Sequence, residues 1–102
     1  MNRWIICLQV FLKPNMHQQF ERYEKQVIPL LATYGGKLEA VIRPNQSAAT
    51  VPDEIHFVSF PTQADFERYK VDPKREKFSQ LFQESVAQVV MLEGENLTQH
   101  YL

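Results

Sequence analysis

The chain has a single cysteine, Cys7, among its 102 residues. One thiol cannot close an internal disulfide, which accords with a reducing compartment, so the cytoplasm is the expected location. No apolar run approaches the length that spans a bilayer, and no membrane partner is expected. The opening segment MNRWIICLQVFLKPN has one Arg and a short apolar stretch, as a secretory signal does, but no small-residue cleavage site; it reads as a first strand. Neither sign of charge is in excess. Eleven Lys and Arg face twelve Asp and Glu, for a formal net charge of −1. A general nucleic-acid binder needs a basic field to displace counterions, so nucleic acid is not an expected partner. Repeats, low-complexity tracts and linker-like stretches are missing. So are a phosphate loop, a dinucleotide fingerprint, zinc-ligand spacing and a serine elbow. No cofactor or metal is expected.

What is present belongs to an ordinary globule. Apolar residues make up 44% of the chain, and seven Phe, four Tyr and one Trp supply large side chains to bury. The length fits one domain, residues 1–102, with a core over about 4–93 and a tail over 94–102.

The order of elements follows from periodicity. Trp4 to Leu12 is an almost unbroken apolar run, which predicts a strand buried on both faces. Pro14-Asn15 ends it, with Asn15 as helix N-cap and Gln18 completing a loose capping box. Met16, Phe20, Tyr23, Val27, Leu30, Leu31 and Tyr34 then recur at helical spacing, and Gln18, Gln19, Glu21, Arg22, Glu24, Lys25 and Gln26 form the solvated face. Pro29 bends the last turns and Gly35-Gly36 ends the helix. Lys37 to Arg43 and Glu54 to Phe60 are short strands joined by a polar loop, residues 44–53, which is either a pocket lid or a mobile connection; antiparallel pairing is expected. Thr62 caps a second helix, and Asp72-Pro73 restarts it. Val86 to Leu92 is a fourth strand ended by Gly94.

The sum is an α+β chain in the order β-α-β-β-α-β, a ferredoxin-like arrangement with a four-stranded antiparallel sheet. Its helices cover one face of that sheet. The first and fourth strands are too apolar for the other face to meet water, and a second copy packed sheet to sheet is the simplest cover. A homodimer, a dimeric α+β barrel, is therefore expected.

The segments HQQFERYEKQVIPLLATYGGKLEAVIRP and PDEIHFVSFPTQADFERYKVDPKREKF carry a resemblance. Tyr34-Gly35-Gly36-Lys37 closing a helix, Phe60-Pro61 closing a strand and Asp72-Pro73 breaking the second helix resemble the dimeric α+β barrel superfamily, over about residues 4–93. Its small stand-alone members and the NIPSNAP family are most similar, and the antibiotic-biosynthesis monooxygenases more distantly. The resemblance implies the fold and the dimer. Stand-alone members tend to carry an Arg in the middle of the second strand, where this chain has Val41, so no site residue is taken from them. Activities differ widely on this fold.

The best chemical constellation lies on the second and third strands. Alternation places Glu39, Val41 and Arg43 on one face, and Glu54, His56, Val58 and Phe60 on one face. Turning the more apolar sets toward the helices leaves Glu39, Arg43, Glu54 and His56 facing the barrel interior. A register pairing Val41 with His56 puts Glu39 and Arg43 diagonal to the imidazole. A His so flanked can act as acid or base near neutral pH; a hydrogen-bonded structural His beside a strand-edge ion pair is the competing reading. Tyr34 and Tyr69, with Tyr23 and Phe66, read as core or pocket wall. His17 and His100 read as surface residues, Cys7 as a buried inert thiol, and Lys70, Lys74, Arg75 and Lys77 as a solvated basic face. Two functions stay open: a cofactor-independent enzyme using His56 on a small, partly apolar organic molecule held between sheet and helices, or a non-catalytic ligand-binding or interaction module.

Overall fold

A computed structural model describes residues 2–102. The apolar run Trp4–Leu12 forms β1, and its composition is explained by its position: in the sheet order β2-β3-β1-β4 it is paired on both edges. β2 is Lys37–Ile42, β3 is Glu54–Phe60 and β4 is Val86–Glu95, and every pairing is antiparallel. This is the expected α+β, ferredoxin-like sheet. β4 runs past Gly94, which pairs with Ile5, so the tail begins later than the glycine predicts.

The first helix, α1, spans His17–Val27. Asn15 does not cap it. Asn15 takes a left-handed conformation, φ 62°, which Asn tolerates in tight turns, and this places it before the helix, with Met16 at the cap. Pro29 tightens the continuation into a 3-10 helix, Ile28–Tyr34. Gly35 closes it at φ 69°, and the amides of Gly35 and Gly36 donate to Ala32 and Leu31 at 3.1 and 2.8 Å. Gly36 is needed for space as well, because a Cβ there would stand 2.8 Å from Cε1 of Phe60.

The return to the helical layer is capped as the sequence predicts. The Thr62 hydroxyl accepts from the Asp65 amide at 3.2 Å and the Asp65 carboxylate accepts from the Thr62 amide at 3.1 Å, opening α2, Gln63–Lys70. Asp72 accepts from the Lys74 amide at 2.7 Å and starts α3, Pro73–Glu76; α4, Ser79–Ser85, leads into β4. No helix among the described residues is long and apolar enough to cross a membrane.

The strands sort their side chains differently from the expectation. Val41 does pair with His56, as the assumed register requires. The set Glu54, His56, Val58 and Phe60, however, points toward the helices, sharing that face with Ile6, Leu8 and Val10. The reason is the size of Phe60. It is fully buried against Phe66 and Tyr69, with ring centroids 5.4 Å away in both cases. Ile55 and Phe57 look apolar because they belong to the uncovered face, beside Ile5, Cys7, Phe11, Val90 and Leu92. A bulge in β2 between Leu38 and Ala40 also breaks the simple alternation. Leu38 therefore joins Val41 on the helix side, while Ala40 and Ile42 lie on the uncovered side. Two buried clusters fill the space between sheet and helices, one around Phe60 and one around Phe20, Tyr23 and Val86.

Candidate functional site

A cavity of about 300 Å³ lies between these clusters, within the size range of small-molecule pockets. Its walls are mostly apolar, from Leu8, Val27, Val58 and Phe66 among others; its polar lining comes from His56, Glu24, Tyr23, Tyr69, Lys70 and Arg75.

His56 is 4% exposed and sits between two carboxylates. Its Nε2 is hydrogen-bonded to Glu54 Oε1 at 2.9 Å, and its Nδ1 stands 3.6 Å from Glu24 Oε2, an ion-pair separation longer than a hydrogen bond. Phe20 meets the imidazole edge-on at 5.8 Å. Glu54 is held in turn by Arg43, whose guanidinium donates to Oε2 at 3.3 Å while remaining largely exposed. The result is a chain from solvent to cavity: Arg43, Glu54, His56, Glu24.

The proton count of this chain is constrained by chemistry. A neutral imidazole donates through one nitrogen only, so it cannot satisfy two ionised carboxylates. At 3.6 Å, Glu24 is beyond hydrogen-bond reach of Nδ1, so the imidazole's hydrogen bond goes to Glu54. Burial raises the Glu24 pKa above 4.5; the neighbouring His56 pulls it back and Glu54 adds to the rise.

Of the residues the sequence singles out, Arg43, Glu54 and His56 come together on the helix side and not in a barrel interior. Glu39 does not join them. The bulge turns it to the uncovered face, where it accepts from Ser59 Oγ at 2.6 Å, and Arg3 Nε donates to the same hydroxyl at 2.9 Å. Tyr69 lines the cavity; burial pushes its pKa to about 12, so its hydroxyl stays protonated. Tyr34 packs edge-on against Tyr69 at 6.0 Å but donates outward to Asp72 Oδ2 at 2.5 Å. That bond raises the Tyr34 pKa and lowers that of Asp72. His17 and His100 are exposed, as expected. Cys7 is half-exposed on the uncovered sheet face and not buried within the chain.

Two residues escape the sequence reading. Glu24 was expected on the solvated helix face, yet its place four residues after Phe20 and three before Val27 borders the apolar stripe, and that spacing is the signal for it. Arg75 was expected in a solvated cluster. Its guanidinium instead stacks over Tyr69 at 4.6 Å and donates to Tyr23 Oη at 3.2 Å. No local pattern announces this, because α1 and α2 supply the tyrosines. Among the described residues no group of three His, Cys, Asp or Glu side chains is placed to hold a metal ion.

No family model matches the sequence, and no curated protein matches it significantly. Solved structures do match in fold. A protein of unknown function from Rhodopseudomonas palustris is 16% identical, covered 94% on this chain and 83% on its own, with a TM-score of 0.79. A DABB family protein with a ferredoxin-like fold from Mesorhizobium loti is 16% identical, with coverages of 92% and 96% and a TM-score of 0.69. A dimeric protein of unknown function from Bacteroides fragilis, also ferredoxin-like, is 11% identical, with coverages of 94% and 98% and a TM-score of 0.71. A NIPSNAP family protein from Agrobacterium tumefaciens and a putative antibiotic biosynthesis monooxygenase from Nitrosomonas europaea share the fold at TM-scores of 0.67 and 0.75. The chain has the ferredoxin-like α+β fold described for the Mesorhizobium loti and Bacteroides fragilis proteins, and at such identities the likeness extends to the fold alone.

Proposed function

We propose that this chain is a single-domain, cofactor-independent protein that pairs with a second copy through its uncovered sheet face and binds a small, partly apolar organic molecule in each subunit, with His56 transferring a proton. The observation that carries the functional part is the position of a buried imidazole, held between two carboxylates, in the wall of an otherwise apolar cavity. In the tautomer whose Nε2–H donates to Glu54, Nδ1 keeps its lone pair, which is the basic form a proton acceptor needs. Such a base takes a proton from carbon beside a carbonyl. The C–H electron pair remains on the substrate as an enolate, and protonation from the imidazole returns the carbonyl compound.

Benzylacetone is a suitable probe, being small, apolar and acidic beside its carbonyl. In heavy water the protein is expected to accelerate deuterium uptake at those carbons, and His56→Gln to remove the acceleration while leaving benzylacetone bound. Saturable binding with no exchange assigns the chain to the second reading, a ligand-binding module, which the mostly apolar lining also suits. Absence of binding refutes both.

The dimer reading is supported by Ile5, Phe11, Phe57, Val90 and Leu92, which no helix among the described residues covers, and Leu92 is 61% exposed. Structural neighbours from Bacteroides fragilis and Thermobifida fusca are described as dimeric, which supports the same reading. A reducing compartment, the cytoplasm, agrees with the free thiol of Cys7.

A further inference from the structure

Arg75 is the one cavity residue whose bonding is incomplete in a way that points to a ligand. Its guanidinium is fixed in place: it lies over the Tyr69 ring, one terminal nitrogen donates to the Lys70 carbonyl at 3.1 Å, and the other donates to Tyr23 Oη at 3.2 Å. Its Nε is buried and has no hydrogen-bond partner. Among the described residues no carboxylate forms an ion pair with it, whereas neighbouring Lys70 is paired with Glu67 at 3.0 Å. Nε is closed to solvent and to a ligand alike, but each terminal nitrogen carries a second N–H that makes no hydrogen bond among the described residues, leaving the guanidinium edge a donor without an acceptor.

The placement makes that donor useful. Arg75 lines the cavity beside His56 and also a second, more polar cleft of about 420 Å³; Tyr23, Lys70 and Phe82 line both as well. The two spaces therefore meet at Arg75, which stands where the apolar cavity gives way to polar surface. A ligand entering from the cleft with its apolar body first leaves its other end at the guanidinium. Glu76 on the cleft and Glu24 on the cavity are the acidic groups nearby. Neither reaches Arg75 within ion-pair distance.

We propose that the cavity takes an organic carboxylate: an apolar body against Leu8, Val27 and Phe66, and a carboxylate held by Arg75. This rests on the cavity being a ligand site, as proposed above, and names the class of molecule it takes. Guanidinium and carboxylate match in geometry and charge, and such bonds are about twice as strong as neutral ones.

The test compares para-propylbenzoate with para-propylbenzyl alcohol, its neutral counterpart of similar shape, by calorimetric titration of the full chain. The acid is expected to bind about tenfold tighter or better, as a charge-assisted bond implies, and its affinity alone is expected to fall as salt is raised. In Arg75→Met, which keeps a long apolar stem over Tyr69, the ratio of acid to alcohol affinity falls to about one, whatever the change in alcohol affinity itself; Arg75→Lys retains part of the preference. Equal binding of acid and alcohol to the unaltered protein overturns the assignment and leaves the cavity reading standing. So does a preference that survives in Arg75→Met. If neither molecule binds, the cavity reading fails and the assignment with it.

Discussion

Replacing His56 with leucine keeps apolar bulk in the interior but strands two carboxylates. In the native chain the imidazole meets Glu54 at 2.9 Å and Glu24 at 3.6 Å, and only Glu54 has a second partner, the exposed Arg43. Removing the donor of a buried, hydrogen-bonded carboxylate costs about 1–3 kcal/mol, because the carboxylate is left without compensation. A domain near this length shifts by about 4–8 °C per kcal/mol, so the melting temperature should fall by at least about 4 °C at pH 7. The origin of that loss is visible in its pH dependence. Without the imidazole, which pulls the Glu24 pKa down, burial favours the protonated Glu24 carboxyl still more, so its folded pKa lies further above the unfolded one. The variant is then least penalised below the ordinary Glu value of 4.5 and loses stability as the pH rises through the raised value. The gap between the two proteins should be smaller at pH 4 than at pH 7. Adding Glu24→Gln and Glu54→Gln to His56→Leu should recover most of the loss. Circular dichroism melts at one protein concentration, at pH 4 and pH 7, decide the matter. An equal gap at both pH values would mean that His56 acts through packing alone, and the picture of stranded carboxylates would be wrong.

Glu24→Gln by itself removes a carboxyl whose pKa burial has raised. Its urea midpoint should gain on the native protein as the pH is taken from below 4.5 upward, and a constant difference would contradict the burial. Gly35→Ala forces φ 69° on a residue with a Cβ and brings that Cβ within 2.8 Å of Pro61 Cγ, so denaturant unfolding should show a loss of about 1–3 kcal/mol; an unchanged midpoint would refute the strain. Leu92→Glu places a charge on the uncovered sheet face. Sedimentation should then find a monomer where the native chain is a dimer, and a dimer in both would place the interface elsewhere.

Much of this architecture is legible in the residues. The βαββαβ order follows from local patterns strong enough to act alone: the apolar run of β1, the glycine pair after Tyr34, the Thr62 and Asp72 caps. Across β2 and β3 the assumed pairing of Val41 with His56 holds, but the bulge just before it leaves no sign in the residues. The face assignment is not legible either, and the reason is physical. Both faces of this sheet carry apolar residues, so counting them on β3 cannot say which set meets helices. The fit of Phe60 beneath Phe66 and Tyr69 decides it, and that is a long-range fact. The same applies to the site. His56 and Glu54 stand out as polar residues in an apolar strand, whereas Glu24 and Arg75 resemble the surface charges around them until the helices are docked. Glu39 is lost to the site through one extra residue in β2.

The chain contains three histidines, and this allows a direct measurement on the one that matters. In a spectrum correlating imidazole protons with ring nitrogens, benzylacetone titrated into the protein should shift the His56 signals saturably, at one molecule per subunit, while exposed His17 and His100 stay fixed. Signals that all stay fixed, or that all drift together without saturation, would contradict a ligand site beside His56.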